Sequence, residues 1–465
     1  MKRTAVINVV GLSESLLGPD TPRIDSFRKS GSFCRVRPAI PAVTCTAQAT
    51  YLTGLQPAQH GIVGNGWYDR DLAEVHFWKQ SNRLVQGEKL WESLRKTEPE
   101  FTCAQLFWWF NMYSTVDWSI TPRPLYLADG RKVFDIYAWP YSVRTEIKSE
   151  LGDFPFPGFW GPAAGLDTAQ GPADVVSRWI AQAAKWMEGK FAPSLNLIYL
   201  PHLDYNLQRF GPNHPAVKDD LRRIDQIVGD LIEFLGGRSV QVILLSEYGI
   251  TPVDRPIHLN RLFRGRGWLA IKEELGRELL DCGASRVFAV ADHQLAHIYC
   301  NDPSLLASAR QLLEKEPGIA EVLDREAKQR HGLNHSRAGD LIAIADARSW
   351  FTYYYWEEDR RAPDFARTVD IHRKPGYDPV ELFLDPAAPL IKAKIGWRLL
   401  QKQLGFRMLM DVVPLDASLV RGSHGARPAD SRDWPVLMTS GRELAGKSVI
   451  EAVDVFELLR AHCLH

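Results

Sequence analysis

Thr44 sits where a nucleophile would be useful. Residues 38–70 read PAIPAVTCTAQATYLTGLQPAQHGIVGNGWYDR, which places this hydroxyl in a Pro-flanked turn after an extended segment and at the start of a polar, helix-competent run. A helix N-terminus offers free N–H groups and positive potential, both suited to an incoming phosphate. Threonine is also a common helix cap, and from this residue alone capping is the commoner role. Downstream, Thr53-Gly54 makes a tight turn and His60-Gly61-Ile62-Val63-Gly64-Asn65 follows. Further polar candidates follow buried, strand-like runs: Asp204 after LNLIYL (195–200), and Glu247-Tyr248 after VQVILL (240–245).

Those runs alternate with helical patterns. Residues 4–11 read as a buried parallel strand ending at Gly11, and 20–31 as a helix started by Asp20-Thr21-Pro22. Helices are expected near 88–97, 171–188 and 215–235, with a short strand in 101–110. The pattern predicts an α/β fold with a doubly wound, mostly parallel sheet whose active groups lie on loops at the C-terminal strand ends. Residues 252–365 read as a smaller α+β unit inserted into a core made of 1–251 and 366–465. Its strands are expected in SRVFAVAD, HQLAHIYC, IAEVL and DLIAIAD, and WFTYYYW (350–356) reads as an aromatic strand. Residues 370–386 read as a Pro-rich loop and 449–462 as a closing amphipathic helix.

Length and composition bound the rest. A chain of 465 residues exceeds one simple core. Acidic and basic residues balance at 56 each, which argues against nucleic acid or a membrane surface as partner. No apolar run approaches the ~20 residues of a membrane span. MKRTAVINVVGL reads as a first strand and not as a leader, because its apolar run is short and Asn8 interrupts it. Six scattered cysteines without a CxxC pair point to reduced thiols and a cytoplasmic location. Fifteen tryptophans, many between Trp67 and Trp160, predict an aromatic core more readily than an aromatic-walled cleft. Arg123, Arg131 and Lys132 in that region read as surface charges first and substrate contacts second.

Taken together, VVGL (9–12), the Thr44 turn, HGIVGN (60–65), DYNLQRFGP (204–212), SEYG (246–249) and SHGA (423–426) resemble, in order and spacing, the alkaline phosphatase superfamily. The similarity is to its nucleotide pyrophosphatase/phosphodiesterase branch and spans most of the chain. The resemblance implies a parallel sheet, two close divalent metals and a Thr or Ser that attacks phosphorus. By motif, Thr44 would be the nucleophile and Asn65 would hold a phosphate oxygen. Asp204 and His424 would be ligands of one metal, and His60 would support its turn.

The sequence departs from that pattern at the metal ligands. Val10-Gly11 stands for Asp-Gly, Gln208 for a His four residues after Asp204, and Ser246-Glu247-Tyr248-Gly249 for Ser-Asp-His-Gly. One metal would keep Thr44 and Glu247, with Tyr248 as an unusual ligand or a substrate contact. The other would keep Asp204 and His424, with Gln208 as a weak donor. Asn8, on the same strand face as Val10, could compensate, as could His372 near Asp370. An oxygen-rich set of Asp204, Glu247, Gln208 and Asn8 would suit Mg or Mn better than Zn. His293, His297 and His335 read first as core or surface histidines, and Arg209 as a surface charge or a phosphate contact. The expected function is a metal-dependent phosphoester or phosphoanhydride hydrolase acting on a small phosphorylated molecule. The alternative is a metal-poor relative that binds such a ligand without hydrolysing it. A homo-oligomer is left open.

Overall fold

Three parallel strands form the centre of the computed structural model, which describes residues 2–169, 171–441, 444 and 446–464. Thr4–Val9 pairs with Leu195–Leu200 on one side and with Gln241–Leu245 on the other. All but one of their residues are buried, so the near-continuous apolar runs are those of strands covered on both faces. Among the described residues the full sheet has nine strands. Cys103–Leu106, Trp118–Pro122 and Ile136–Trp139 extend it beyond Leu195–Leu200, and Val436–Thr439, Ser32–Arg37 and Val449–Glu451 extend it beyond Gln241–Leu245. Val436–Thr439 and Ile136–Trp139 run antiparallel to their neighbours, so the sheet is mixed but mostly parallel.

Helices Pro22–Ser30, Val175–Phe191 and Val217–Gly236 fall within two to four residues of their expected bounds. Two other expectations are corrected. Only Val449–Glu451 and then Asp454–Leu464 occupy the closing segment, because the first residues of the apolar run pair with Ser32–Arg37 before the helix begins. WFTYYYW is strand only over Ser349–Phe351, and residues 352–356 are buried without strand pairing.

Residues 287–345 form a separate four-stranded antiparallel sheet, in the order Val287–Asp292, Leu295–Cys300, Leu341–Ala345 and Ile319–Leu323. Its core draws on Val253 to Ala366, and it also takes in Tyr68, Phe77, Tyr377, Val380, Val413, Ala417 and Val420. Parts of the chain assigned by sequence to the main unit therefore pack on the inserted one. All six cysteines are buried free thiols. Among the described residues, no helix is long and apolar enough to cross a membrane.

His60 shows how the fold supports the helix that carries Thr44. Its ring accepts from the Ile62 N–H through Nδ1 and pairs with the Thr50 hydroxyl through Nε2, at 3.1 and 3.0 Å. The expected structural role therefore holds. Burial pushes its pKa down to about 3, so the folded protein keeps it neutral. An unfolded histidine titrates near 6.5, and the stability this group contributes is present above that value and is lost as pH falls toward 3. Wild-type stability should drop by about 2 kcal/mol more than that of His60→Gln between about pH 7 and pH 5, measured by urea titration. Equal slopes for the two proteins would refute this assignment.

Candidate active site

The parallel strands align their C-terminal ends at one edge, and the polar candidates emerge there. Thr44 is the first residue of the helix Thr44–Thr53, behind Val43 in extended conformation. Val43, which has no polar side chain, takes the N-cap position, so Thr44 is not the cap of this helix. It faces the Tyr248 hydroxyl at 3.3 Å. Tyr248 in turn donates to Asp204 Oδ1 at 3.1 Å, and the Gln208 amide donates to Asp204 Oδ2 at 2.8 Å. Asp204 and Gln208 are one turn apart on the helix His202–Phe210, which places both on one face. Burial raises Asp204 to about 7, with the bonds from Tyr248 and Gln208 offsetting part of that rise.

Beneath this chain of hydroxyls lies Glu247. Its Oε1 accepts from Asn8 Nδ2 at 2.6 Å and from the Gln48 amide, and Gln48 accepts from the Trp109 N–H. Burial lifts Glu247 to about 8, which keeps the carboxyl protonated at neutral pH. Gln48 carries no motif signal, and its role became visible only in three dimensions.

The inserted sheet supplies the opposite wall. Asp292 accepts from the Asn65 N–H at 2.7 Å and the Asn65 amide at 3.0 Å, while Asn65 Oδ1 accepts from the Cys45 N–H. Gly64 lets this clamp close, since a Cβ there would lie 3.0 Å from Asp292 Oδ2. His293 and Gln294 form the tip between two strands, and Asp292 holds the His293 Nδ1 at 2.9 Å. His293 Nε2 is buried without a hydrogen-bond partner. His424 bonds the Ala42 carbonyl through Nδ1 at 2.7 Å, so its Nε2 is the free nitrogen. The rings of Tyr248, His424, His293 and Tyr377 stack in sequence, with centroids 3.6, 3.7 and 3.6 Å apart. Burial drives both histidines well below the usual imidazole range. His293 is buried, as the core reading has it, and it also lines the cavity. His297 is structural, bonded to the Val63 carbonyl and the Gly339 N–H.

Trp78, Trp109, Trp160, Phe156, Phe159 and Tyr126 wall the same cavity. The tryptophan-rich stretch therefore builds a cleft as well as a core, where Trp91 and Trp108 are fully buried. Lys132 also lines the cavity, so it is more than a surface charge. Arg209 is not in the cavity wall. Its guanidinium is buried and donates to the Leu382 and Ala164 carbonyls and to Asn206, so the expected phosphate contact becomes a structural clamp.

Of the residues expected to hold two metals, Asp204, His424 and His372 line the cavity, while Gln208 and Glu247 sit among the hydrogen bonds of its floor. Both Asp204 oxygens already accept bonds, and His372 Nδ1 bonds the Phe77 carbonyl. Glu247 Oε1 holds the Asn8 and Gln48 amides, while Glu247 Oε2 and Asn8 Oδ1 are buried without a partner. Among the described residues, no three His, Cys, Asp or Glu side chains gather as a metal site. Val10 adds no donor, and the Tyr248 phenol lies between Thr44 and Asp204. This donor set does not fit the two-metal centre that the motifs imply.

A sequence profile of the type I phosphodiesterase/nucleotide pyrophosphatase family matches residues 4–378. The chain belongs to this family. An uncharacterized pyrophosphatase/phosphodiesterase of Schizosaccharomyces pombe is 25% identical over 235 residues, covering 49% of this chain and 40% of that protein. Bovine ectonucleotide pyrophosphatase/phosphodiesterase family member 3 is 26% identical over 236 residues, covering 49% of this chain and 22% of that protein. The match thus spans less than half the length of either curated relative. Among solved structures, murine ectonucleotide pyrophosphatase/phosphodiesterase 5 aligns over 100% of this chain and 95% of its own, with a TM-score of 0.59 and 15% identity. Phosphonoacetate hydrolase from Sinorhizobium meliloti aligns over 99% and 96%, with a TM-score of 0.62 and 13% identity. These structures share the fold.

One buried triad holds the cavity wall that carries Tyr377 and His372. Lys374 Nζ lies 2.7 Å from both Asp378 and Glu381, and Glu381 also accepts from the Trp160 indole. Replacing Lys374 by Met leaves two carboxylates buried without their cation and should cost about 3–5 kcal/mol. The urea midpoint measures this, and a loss under about 1 kcal/mol would show that the triad does not hold the wall.

Proposed function

We propose that this family member hydrolyses a phosphodiester or phosphoanhydride of a small molecule with Thr44 as nucleophile. The observation that carries the reading is the aligned chain Thr44–Tyr248–Asp204 at the base of an aromatic-walled cavity. Tyr248 donates to Asp204, which leaves its oxygen free to accept the Thr44 proton. As Thr44 Oγ1 forms its bond to phosphorus, its proton passes to Tyr248 and the tyrosine proton to Asp204. The leaving oxygen departs with the electrons of the broken P–O bond. Asp204, raised to about 7, is matched to accepting a proton near neutral pH. Water then attacks the phospho-threonine: its oxygen bonds phosphorus as the bond to Thr44 Oγ1 breaks, Asp204 returns its proton through Tyr248 to Thr44, and the water proton leaves with the phosphate product. His293 Nε2, held through Nδ1 by Asp292, offers that water a hydrogen-bond acceptor. The helix N-terminus, Asn65 and Lys132 supply favourable polarity for the phosphate. No step in this sequence is assigned to a divalent cation, because the donor set does not fit a two-metal centre. The buried free thiols support a cytoplasmic setting.

One observation favours the second reading, non-hydrolytic binding of a phosphorylated ligand. The acidic oxygens nearest Thr44 are mostly engaged within the protein: both Asp204 oxygens and Glu247 Oε1 accept bonds, and only Glu247 Oε2 is without a partner.

Hydrolysis of bis-p-nitrophenyl phosphate separates the two. Turnover should persist in EDTA, vanish in Thr44→Ala and fall by about 10²–10⁴ in Tyr248→Phe. No turnover with or without Zn, Mn or Mg would favour the binding protein. Turnover that EDTA abolishes and Mn restores would overturn the metal-free relay while keeping the hydrolase.

A further inference from the structure

The helix Ile391–Gln403 is built inside out. None of its residues is buried. Its protein-facing side carries cations: Lys394 bonds the Asp411 carbonyl and carboxylate at 2.7 and 2.9 Å, and Arg398 reaches the same carboxylate at 3.1 Å. Ala393, Trp397, Leu400 and Leu404 follow one another at helical spacing, on a stripe about 100° around the helix from those cations. Trp397 is 59% exposed, Leu404 63% and, just beyond, Phe406 65%. A surface helix normally turns its apolar stripe to the core, and an apolar stripe turned to water marks an interaction site.

The charge that this segment itself carries is of one sign. Residues 386–410 contain Lys392, Lys394, Arg398, Lys402 and Arg407 and no Asp or Glu. Lys392, Lys402 and Arg407 are exposed. The patch continues toward the cavity: Lys402 lies over the Phe134 ring at 5.6 Å, and Phe134 stacks on the cavity-lining Phe156 at 4.6 Å. Tyr126 at the cavity wall is itself 61% exposed.

We propose that the helix Ile391–Gln403, with Leu404 and Phe406, lies flat on the surface of an anionic lipid bilayer. An outward apolar stripe sinks into the boundary between headgroups and acyl chains, Trp397 is suited to that boundary, and the flanking cations meet anionic headgroups. A second copy of the chain fits less well, since it would set the exposed Lys392, Lys402 and Arg407 against their own counterparts. The surface would be the cytoplasmic leaflet, which carries the anionic lipids. Net neutrality argues against a membrane surface only when charge is spread evenly, and here it is segregated. A limit on spanning segments does not bear on a helix that lies in the plane.

Flotation of the purified chain with vesicles tests this. Binding to phosphatidylcholine vesicles carrying about 30% phosphatidylserine should exceed binding to pure phosphatidylcholine by about ten-fold and weaken as salt rises. The combined variant Trp397→Ala, Leu400→Ser, Leu404→Ser should lose about ten-fold in binding, with unchanged circular dichroism and unchanged turnover of any soluble phosphodiester the wild type hydrolyses. Equal binding to both vesicles, or binding that survives the variant, would overturn the proposal. So would a wild-type dimer, seen by light scattering, that ignores vesicles and dissociates in the variant.

Discussion

The buried Glu247 carboxyl is the constraint on which the site depends. It hangs from the end of a central strand and is held by Asn8 from the neighbouring strand and by Gln48 from the helix that begins at Thr44. Gln48 passes the constraint on to the Trp109 backbone. Four segments far apart in sequence are thereby locked around one acid that burial keeps protonated. A neutral floor tolerates the phenol of Tyr248 directly above it, whereas an ionised one would call for a cation.

The chemistry of the cavity follows from that neutral floor. The histidines are neutral because they are buried, and four rings from three regions of the chain stack across the cavity. Such stacking needs uncharged or weakly charged partners in close contact. The acid–base capacity that remains is concentrated in Asp204, which reaches Thr44 through a phenol, and in the Asp292–His293 pair from the inserted sheet. Among these groups Tyr248 and Gln208 bond Asp204, while His424 keeps a free ring nitrogen and Glu247 a free oxygen.

The inserted sheet is part of the site and more than a cover. Its hairpin tip delivers Asp292 and His293, and its core takes in Tyr377 and Val380 from the stretch that returns to the main sheet. The same return stretch then carries the basic helix, whose Lys394 and Arg398 fold inward onto Asp411 while Lys392, Lys402, Arg407 and several apolar side chains are exposed. Through Lys402 over Phe134, and Phe134 on Phe156, this helix lies near the cavity wall.

Strand periodicity and turn residues determined the central sheet, because buried parallel strands announce themselves as short apolar runs ending in polar turns. The order of motifs around Thr44, Asn65, Asp204, Glu247 and His424 determined the family. The substitutions at Val10, Gln208 and Tyr248 signalled that the metal positions were altered. What replaced them was not legible, since Gln48 and Asn8 are ordinary polar residues until folding places them beside Glu247. Arg209 read as a surface or phosphate charge because a guanidinium satisfied by backbone carbonyls leaves no local pattern. His293 read as a core or surface histidine because its role depends on a hairpin tip reaching across from the inserted sheet. Side-chain identity was written in the chain, but which groups neutralise one another was decided only by tertiary packing, because burial and hydrogen bonding set charge and both come from residues distant in sequence.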